Sequence, residues 1–349
     1  MDPERQEAPA IHNPGLSLTR SLSPWRLRTR TLELGRRTLV MGVVNVTPDS
    51  FSDGGRFFDP RAAVAHALAL LDEGAHLIDL GAESTRPGSR AGGAVQAVHP
   101  NDDNLSLGTP DVHPNDDNLS LGTPDVSAGE EQARLLPVLE GILRERPQAI
   151  VSVDTYKAAT ARAALAAGAE IVNDVSGFSW DPEMAAACAA FKAGAVLMHT
   201  RGRPEEWRDQ PQLGPDALLA AVRAGLSASL AAAAKAGIPP EAIVLDPGYG
   251  FGKRYGENYA LLARHSELLS LGRPLLAGVS RKSFLGRTLA PLFAGGDAPV
   301  EARETASLAA LTAAILHGAS IVRVHAVRPA VEAALIADAV LAYETDARA

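Results

Sequence analysis

Short, strongly apolar runs alternate with Ala/Leu-rich stretches along most of the chain. The runs predict strands at TLVMGVVNV (38–46), LIDLG (77–81), AIVSVD (149–154), IVNDV (171–175), AVLMHT (195–200), AIVLDP (242–247), PLLAGVS (274–280) and IVRVHA (321–326). Between them the pattern predicts helices over 60–74, 128–146, 156–168, 182–192, 215–236, 258–271, 303–318 and 328–345. Gly74, Gly168, Gly194, Gly237, Gly272 and Gly318 stand where helix C-termini favour glycine. Eight strand–helix pairs, with strands apolar on both faces, point to an α/β fold, a (β/α)8 TIM barrel. The competing architecture is a doubly wound open sheet. Its dinucleotide signature is absent, because GYGFGK (248–253) fits neither G-x-G-x-x-G nor the phosphate loop, and Arg254 stands where the latter needs Ser or Thr.

Two regions depart from this rhythm. Trp25–Leu34 alternates (WRLRTRTLEL) and predicts a short strand pair ahead of the barrel. Residues 99–112, HPNDDNLSLGTPDV, recur letter for letter at 113–126. Two copies do not make a solenoid. A unit so rich in Asn, Asp, Pro and Gly buries little, so 90–127 reads as a long, duplicated, disordered loop inserted after the second barrel strand. The expected organisation is a flexible extension over 1–24, the barrel over 25–345 and a tail over 346–349.

Composition narrows the function. The net charge of −8 supplies no basic field for nucleic acid, and no Lys/Arg run marks a membrane surface. No uninterrupted apolar run reaches ~18 residues, so no spanning helix is expected. The start, MDPERQEAPA, lacks an apolar signal core, and the single Cys188 permits no disulfide within the chain; both fit a cytoplasmic location.

In a barrel, strand ends and the loops after them share one mouth. Those positions hold Asn45; Glu83, Thr85 and Arg86; Asp154; Asn173 with Asp174; His199; Asp246; Ser280 with Lys282; and Arg323 with His325. Helix caps alone would supply Ser, Thr, Asp and Asn, not Arg, Lys and two His as well. Asp154, Asn173 and Asp246 form an acceptor set suited to a flat heterocycle that shows an amino group beside a ring N–H. Asn45, Thr85, Arg86, Arg323 and His325 suit a phosphate or pyrophosphate, with or without Mg²⁺, and Lys282 serves either set. Taken singly, Asp154 and Asp246 read equally well as helix caps, and His199 equally well as a core histidine. His66, His76, His265 and His317, on or at the ends of predicted helices, read as structural, and Cys188 as packing.

The motifs MGVVNVTPDSFSDGG (41–55), LIDLGAESTRPG (77–88), SVDTYK (152–157), IVNDVSG (171–177), LDPGYGFGK (245–253), GVSRKSFLG (278–286) and RVH (323–325) occur in an order that resembles the dihydropteroate synthase family. The resemblance spans about 25–345 and implies a (β/α)8 barrel. It also implies joining of 6-hydroxymethyl-7,8-dihydropterin diphosphate to p-aminobenzoate, with release of pyrophosphate. On the matching positions, Asp154, Asn173, Asp246 and Lys282 would hold the pterin, Asn45 would bind Mg²⁺, and Arg323 and His325 would bind the diphosphate. Thr85 and Arg86 would reach the phosphates. Asp49, Phe51, Pro87, Phe251 and Ser280 would shape the p-aminobenzoate pocket. Of these, Asp49, Arg86, Lys282, Arg323 and His325 are the expected catalytic set. A homodimer built through outer helices is the implied assembly.

Ala326 departs from the aspartate that commonly follows RVH in the family, and the duplicated segment lengthens the arm that carries Thr85 and Arg86. Two other functions compete with synthesis. A methyltetrahydrofolate-type methyltransferase barrel has no reason to keep SRKSFLG or the NVTPDSFSDGG loop. A catalytically impaired binding barrel has no reason to keep Arg86, Lys282 and Arg323.

Overall fold

The computed structural model describes residues 22–46, 59–82, 126–294 and 296–346. The expected extension, apart from its last three residues, and nearly all of the expected insertion lie outside them, as does the tail beyond Asp346.

The chain enters through an antiparallel hairpin, β1 (Ser23–Arg26) and β2 (Thr31–Leu34), where the alternating pattern placed it. The barrel strands follow: β3 (Leu39–Asn45), β4 (Leu77–Gly81), β5 (Val151–Asp154), β6 (Ile171–Asp174), β7 (Gly194–Met198), β8 (Ile243–Asp246), β9 (Leu275–Ala277) and β10 (Ala319–Val324). They pair in parallel in chain order, and β10 closes onto β3. Outside them lie α1 (Pro60–Asp72), α2 (Ala128–Glu145), α3 (Ala158–Ala166), α4 (Met184–Phe191), α5 (Pro215–Lys235), α6 (Tyr255–Ala263), α7 (Ser283–Thr288), α8 (Glu304–Leu316) and α9 (Val327–Asp346). The fold is the expected (β/α)8 barrel.

Local chemistry sets the boundaries. Asp59 caps α1 by accepting from the Arg61 N–H at 2.9 Å, with Pro60 in the first turn. Ser127 caps α2 through the Glu130 N–H at 3.2 Å, so the helix opens at Ala128, where the pattern predicts it. The helix expected over 258–271 divides into α6 and a 3₁₀ turn at His265–Leu271, and α6 starts three residues early because the Glu257 carboxylate takes the Arg254 N–H. The motif SRKSFLG holds α7, a helix too short to show a periodic pattern. Gly194 is not a helix terminus. Lys192 takes the left-handed cap with φ 54°, and Gly194 opens β7, where a Cβ would stand 2.7 Å from Leu27.

Two cores result. One fills the space between barrel wall and helices. The other lies inside the barrel's lower end, where Trp25, Leu27 and Leu34 of the hairpin region meet Leu39, Met41, Leu77, Ile171, Val196, Val244, Leu276 and Ile321. Trp25 is fully buried, and its indole N–H donates to the Ala242 carbonyl at 3.1 Å. The hairpin therefore plugs the floor of the barrel and leaves the opposite mouth for chemistry.

Helix α5 is long and apolar enough to cross a membrane by length and composition alone, although Asp216 and Arg223 interrupt its apolar sequence. Here it lies on the barrel: Leu218, Leu219, Val222 and Leu226 are buried, and Arg223 reaches Ser270 at 2.7 Å.

Candidate active site

Strand register gathers the site. Asn45 is opposite Gly81, Gly81 opposite Asp154, and Asp154 opposite Asn173, so three polar side chains lie on one line at the C-terminal ends of neighbouring strands. Gly81 keeps that line open, because a Cβ there would touch Asp154 at 3.5 Å.

A charged cluster occupies the lumen below this line. The Arg323 Nε donates to Asp79 Oδ2 at 2.6 Å, and its terminal nitrogen donates to Asp154 Oδ2 at 2.7 Å. The Asn173 amide also donates to Asp79 Oδ2, at 3.0 Å. Strands β4, β6 and β10 are not neighbours, so these contacts cross the barrel interior. Asp79 is fully buried, and its other oxygen has no hydrogen-bond partner among the described residues. Burial pushes Asp154 up to about 7, against the pull of Arg323 and with a further push from Asp79. Burial works against the Arg323 charge, yet Asp79 and Asp154 hold that guanidinium above its usual range.

Across the lumen, Asp246 is buried at the end of β8 and accepts from the Gly248 N–H at 2.7 Å. Burial raises it above the usual carboxylate range, while Gly248, Lys282, Lys253 and Arg323 oppose the rise. A Cβ on Gly278 would lie 3.8 Å from Asp246 and 4.0 Å from the Cβ of Arg323, which places the two side chains about one shared gap. The Lys282 ammonium sits 4.0 Å from the centre of the Phe251 ring, and Trp207 packs edge-on to the same ring. Ser280 Oγ accepts from the His325 backbone N–H at 3.3 Å and shares a hydrogen bond with His325 Nδ1 at 3.0 Å, so one hydroxyl holds both the backbone and the ring of His325.

Asp154, Asn173, Asp246, Phe251, Ser280, Lys282, Arg323 and His325 thus share one mouth. Asp49, Phe51, Glu83, Thr85, Arg86 and Pro87 lie outside the described residues. Three expectations shift. Arg323 is not held in a cradle apart from the acceptors; it pairs with Asp79 and with Asp154 of the acceptor set. Asp174 turns away from the mouth and caps its own loop, accepting from Ser176 and Phe178 N–H groups at 2.8 Å each; burial pushes it up to about 6. His199 is a core residue: its ring packs on Gly225 of α5, and burial drives it down to about 2, so it stays neutral. His265 is likewise buried, on the Tyr249 hydroxyl at 2.8 Å, and Cys188 is buried in α4 with its thiol pushed far up.

Sequence reading passed over Asp79. The signal was present, since Asp79 is the only charged residue in LIDLG, a run otherwise apolar on both faces. A carboxylate there has to find partners inside the barrel.

Asn45 ends β3 half-buried at the mouth and offers one hard oxygen. No group of three or more His, Cys, Asp or Glu that could hold a metal occurs among the described residues. That donor set fits Mg²⁺ only where phosphate oxygens and water complete the shell, the usual arrangement for this ion.

The chain matches the family model for pterin binding enzymes over residues 41–99 and 118–325, which skips 100–117 inside the duplication. It is 42% identical over 299 residues to a dihydropteroate synthase of Mycobacterium leprae, covering 84% of this chain and 90% of that one. The structure of a Yersinia pestis dihydropteroate synthase with a sulfonamide drug superposes with a TM-score of 0.74 at 36% identity, covering 92% of this chain and 99% of that one. A Xanthomonas albilineans dihydropteroate synthase solved with 4-aminobenzoic acid gives 0.73 at 37% identity, with coverage of 92% and 99%.

Proposed function

The chain belongs to the pterin binding enzyme family, as a dihydropteroate synthase, and from that premise we propose that it condenses 6-hydroxymethyl-7,8-dihydropterin diphosphate with p-aminobenzoate to give 7,8-dihydropteroate and pyrophosphate. One observation carries the residue assignments: Arg323 pairs with the Asp79 and Asp154 carboxylates, and the Asn173 amide joins it on Asp79, inside the same mouth that holds Asp246 and Lys282.

Asp246 and Asn173 face the pterin's amino-pyrimidinone edge as acceptors, with Lys282 beside them. Arg323, braced by Asp79 and Asp154, lines the pocket between that edge and the diphosphate. The amine nitrogen of p-aminobenzoate forms a bond to the exocyclic methylene carbon as the carbon–oxygen bond to diphosphate breaks. The electron pair leaves with the diphosphate, and the amine gives up one proton to the released pyrophosphate or to solvent. Positive charge develops on the methylene carbon and spreads into the pterin, where the buried carboxylates stabilise it. Negative charge develops on the leaving group, where Arg323, His325 and Arg86 would receive it. An aromatic amine is already a usable nucleophile, so positioning does much of the rest. The 4-aminobenzoic acid bound by the Xanthomonas relative supports an aromatic wall here. Phe251, with Lys282 above it and Trp207 at its edge, is that wall; by the family match Asp49, Phe51, Pro87 and Ser280 would add to it.

Asn45 would hold a Mg²⁺ ion that the diphosphate brings with it, and Thr85 would reach the same phosphates. When bound, that ion supplies charge to the leaving oxygens. A homodimer fits the outer face of α9, where Leu335, Ile336, Val340 and Tyr343 are exposed. A cytoplasmic location fits the same reading. The net charge of −8 favours neither nucleic acid nor an anionic membrane as a partner.

Pyrophosphate release from the pterin diphosphate tests the reading. Release should need both p-aminobenzoate and Mg²⁺. Release that ignored p-aminobenzoate would make the protein a hydrolase instead.

A further inference from the structure

Lys253 is a buried cation that the reaction above does not use. It closes the tight loop after β8, Pro247–Lys253, which carries Phe251 at its tip. Gly248, Gly250 and Gly252 all take left-handed backbone, with φ of 70°, 82° and 66°. The loop packs so closely that a Cβ on Gly248 would stand 2.0 Å from the His199 carbonyl oxygen, and one on Gly252 would stand 2.9 Å from that of Arg201. Such a turn aims carbonyl oxygens inward. The Lys253 Nζ meets three of them: Gly248 O at 2.7 Å, His199 O at 3.1 Å and Phe251 O at 3.2 Å. The last belongs to the wall residue itself.

We propose that Lys253 is a positioning residue for the p-aminobenzoate half of the site: its ammonium clasps three carbonyls and so fixes the Phe251 ring that walls that half. The proposal rests on the reading of Phe251 as the aromatic wall.

Three carbonyl acceptors match the three protons of an ammonium. A neutral amine offers two protons and a lone pair, so one carbonyl would face a lone pair in a buried site. Charged groups approach from every side: Asp246 on β8, Arg201 after β7, Glu257 on α6 and Lys282 before α7, with His199 kept neutral by burial. Burial draws Lys253 down to about 7, Lys282 and Arg201 add to that pull, and Asp246 and Glu257 oppose it. The clasp is therefore complete below about pH 7 and loosens as pH rises through that value.

Lys253→Met keeps the bulk and removes the donors. Its KM for p-aminobenzoate should rise roughly tenfold, a loss of about one charge-assisted bond, while the KM for the pterin diphosphate stays within about twofold. The wild-type KM for p-aminobenzoate should climb between pH 6.5 and 8.5, and that of Lys253→Met should be high and flat. An unchanged KM for p-aminobenzoate, or an equal rise for both substrates, overturns the proposal. If Lys253→Met fails to fold, hydrogen exchange on the wild-type protein decides. The Phe251 and Arg201 amides, bonded to Gly248 O and Phe251 O, should lose protection from pH 6.5 to 8.5 beyond intrinsic base catalysis, while β8 amides hold theirs. Constant protection would overturn the clasp. Exchange needs no turnover, so a protein that released no pyrophosphate while this loop still titrated would defeat the reaction and leave the clasp standing.

Discussion

The two ends of this barrel treat buried charge in opposite ways. At the floor, Glu170 is almost fully buried, and its carboxylate is fully engaged: it takes the Thr29 N–H at 2.8 Å and the Thr29 hydroxyl, with Arg30 3.6 Å away. Around it the hairpin packs Trp25, Leu27 and Leu34 into an apolar plug. At the mouth, Asp79 and Asp154 share one guanidinium, and one Asp79 oxygen is left without a partner among the described residues. The floor is arranged for stability. The mouth holds acceptors and cations close together in an electrostatically costly arrangement, as a site that must stabilise charge in a passing substrate requires.

The sharpest way to break this contrast is Arg323→Ala. It strands two carboxylates inside the barrel, so stability should fall by about 3–5 kcal/mol and kcat/KM by roughly 10³-fold. Denaturant melts and steady-state kinetics report both. A stable, active variant would show that the cluster is incidental. Trp25→Ala makes the complementary cut. It should cost about 3–5 kcal/mol in a urea melt while kcat stays within about twofold at a temperature where the protein is folded. A floor mutation that lowered kcat in the folded state would mean that the two ends are coupled.

Asp154→Asn sharpens the contrast through pH. In the wild type, burial pushes this carboxyl up to about 7, above its unfolded value of 3.8. Between those values the native state holds a proton that the unfolded state has lost. Its contribution is therefore fully present below about pH 3.8 and disappears as pH rises through about 7. The stability of wild type relative to Asp154→Asn should fall across that window, and parallel curves would contradict it.

The smallest effect is expected from excising residues 99–112. One intact copy of the duplicated segment remains at 113–126, so KM values and sulfonamide inhibition should stay within about twofold. A larger shift would give the second copy a kinetic role.

Much of this was legible from pattern alone. The strands were found because a wall covered on both faces must be apolar throughout, and the polar residue ending such a run is conspicuous, as at Asn45, Asp154 and Asp246. The hairpin was visible because its alternation has period two. What escaped depends on direction and distance. Asp174 and Asn173 are adjacent in sequence, but one turns to its own loop and the other into the lumen. For His199 the sequence leaves rim and core equally open, and only its packing on Gly225 decides for the core. The type of Arg323 suits phosphate, but nothing in the sequence shows that two carboxylates brace it across the lumen. Helix α7 is too short for periodicity, and Lys253 is defined by three backbone carbonyls that no side-chain pattern encodes.

The Trp25 bond to Ala242 spans 217 positions of the chain. On a ribosome adding about 5–20 residues per second, the indole emerges roughly 10–45 s before its acceptor exists. The first structured piece to be made is thus among the last to be seated, and the nascent barrel stays open at its base until β8 has left the exit tunnel.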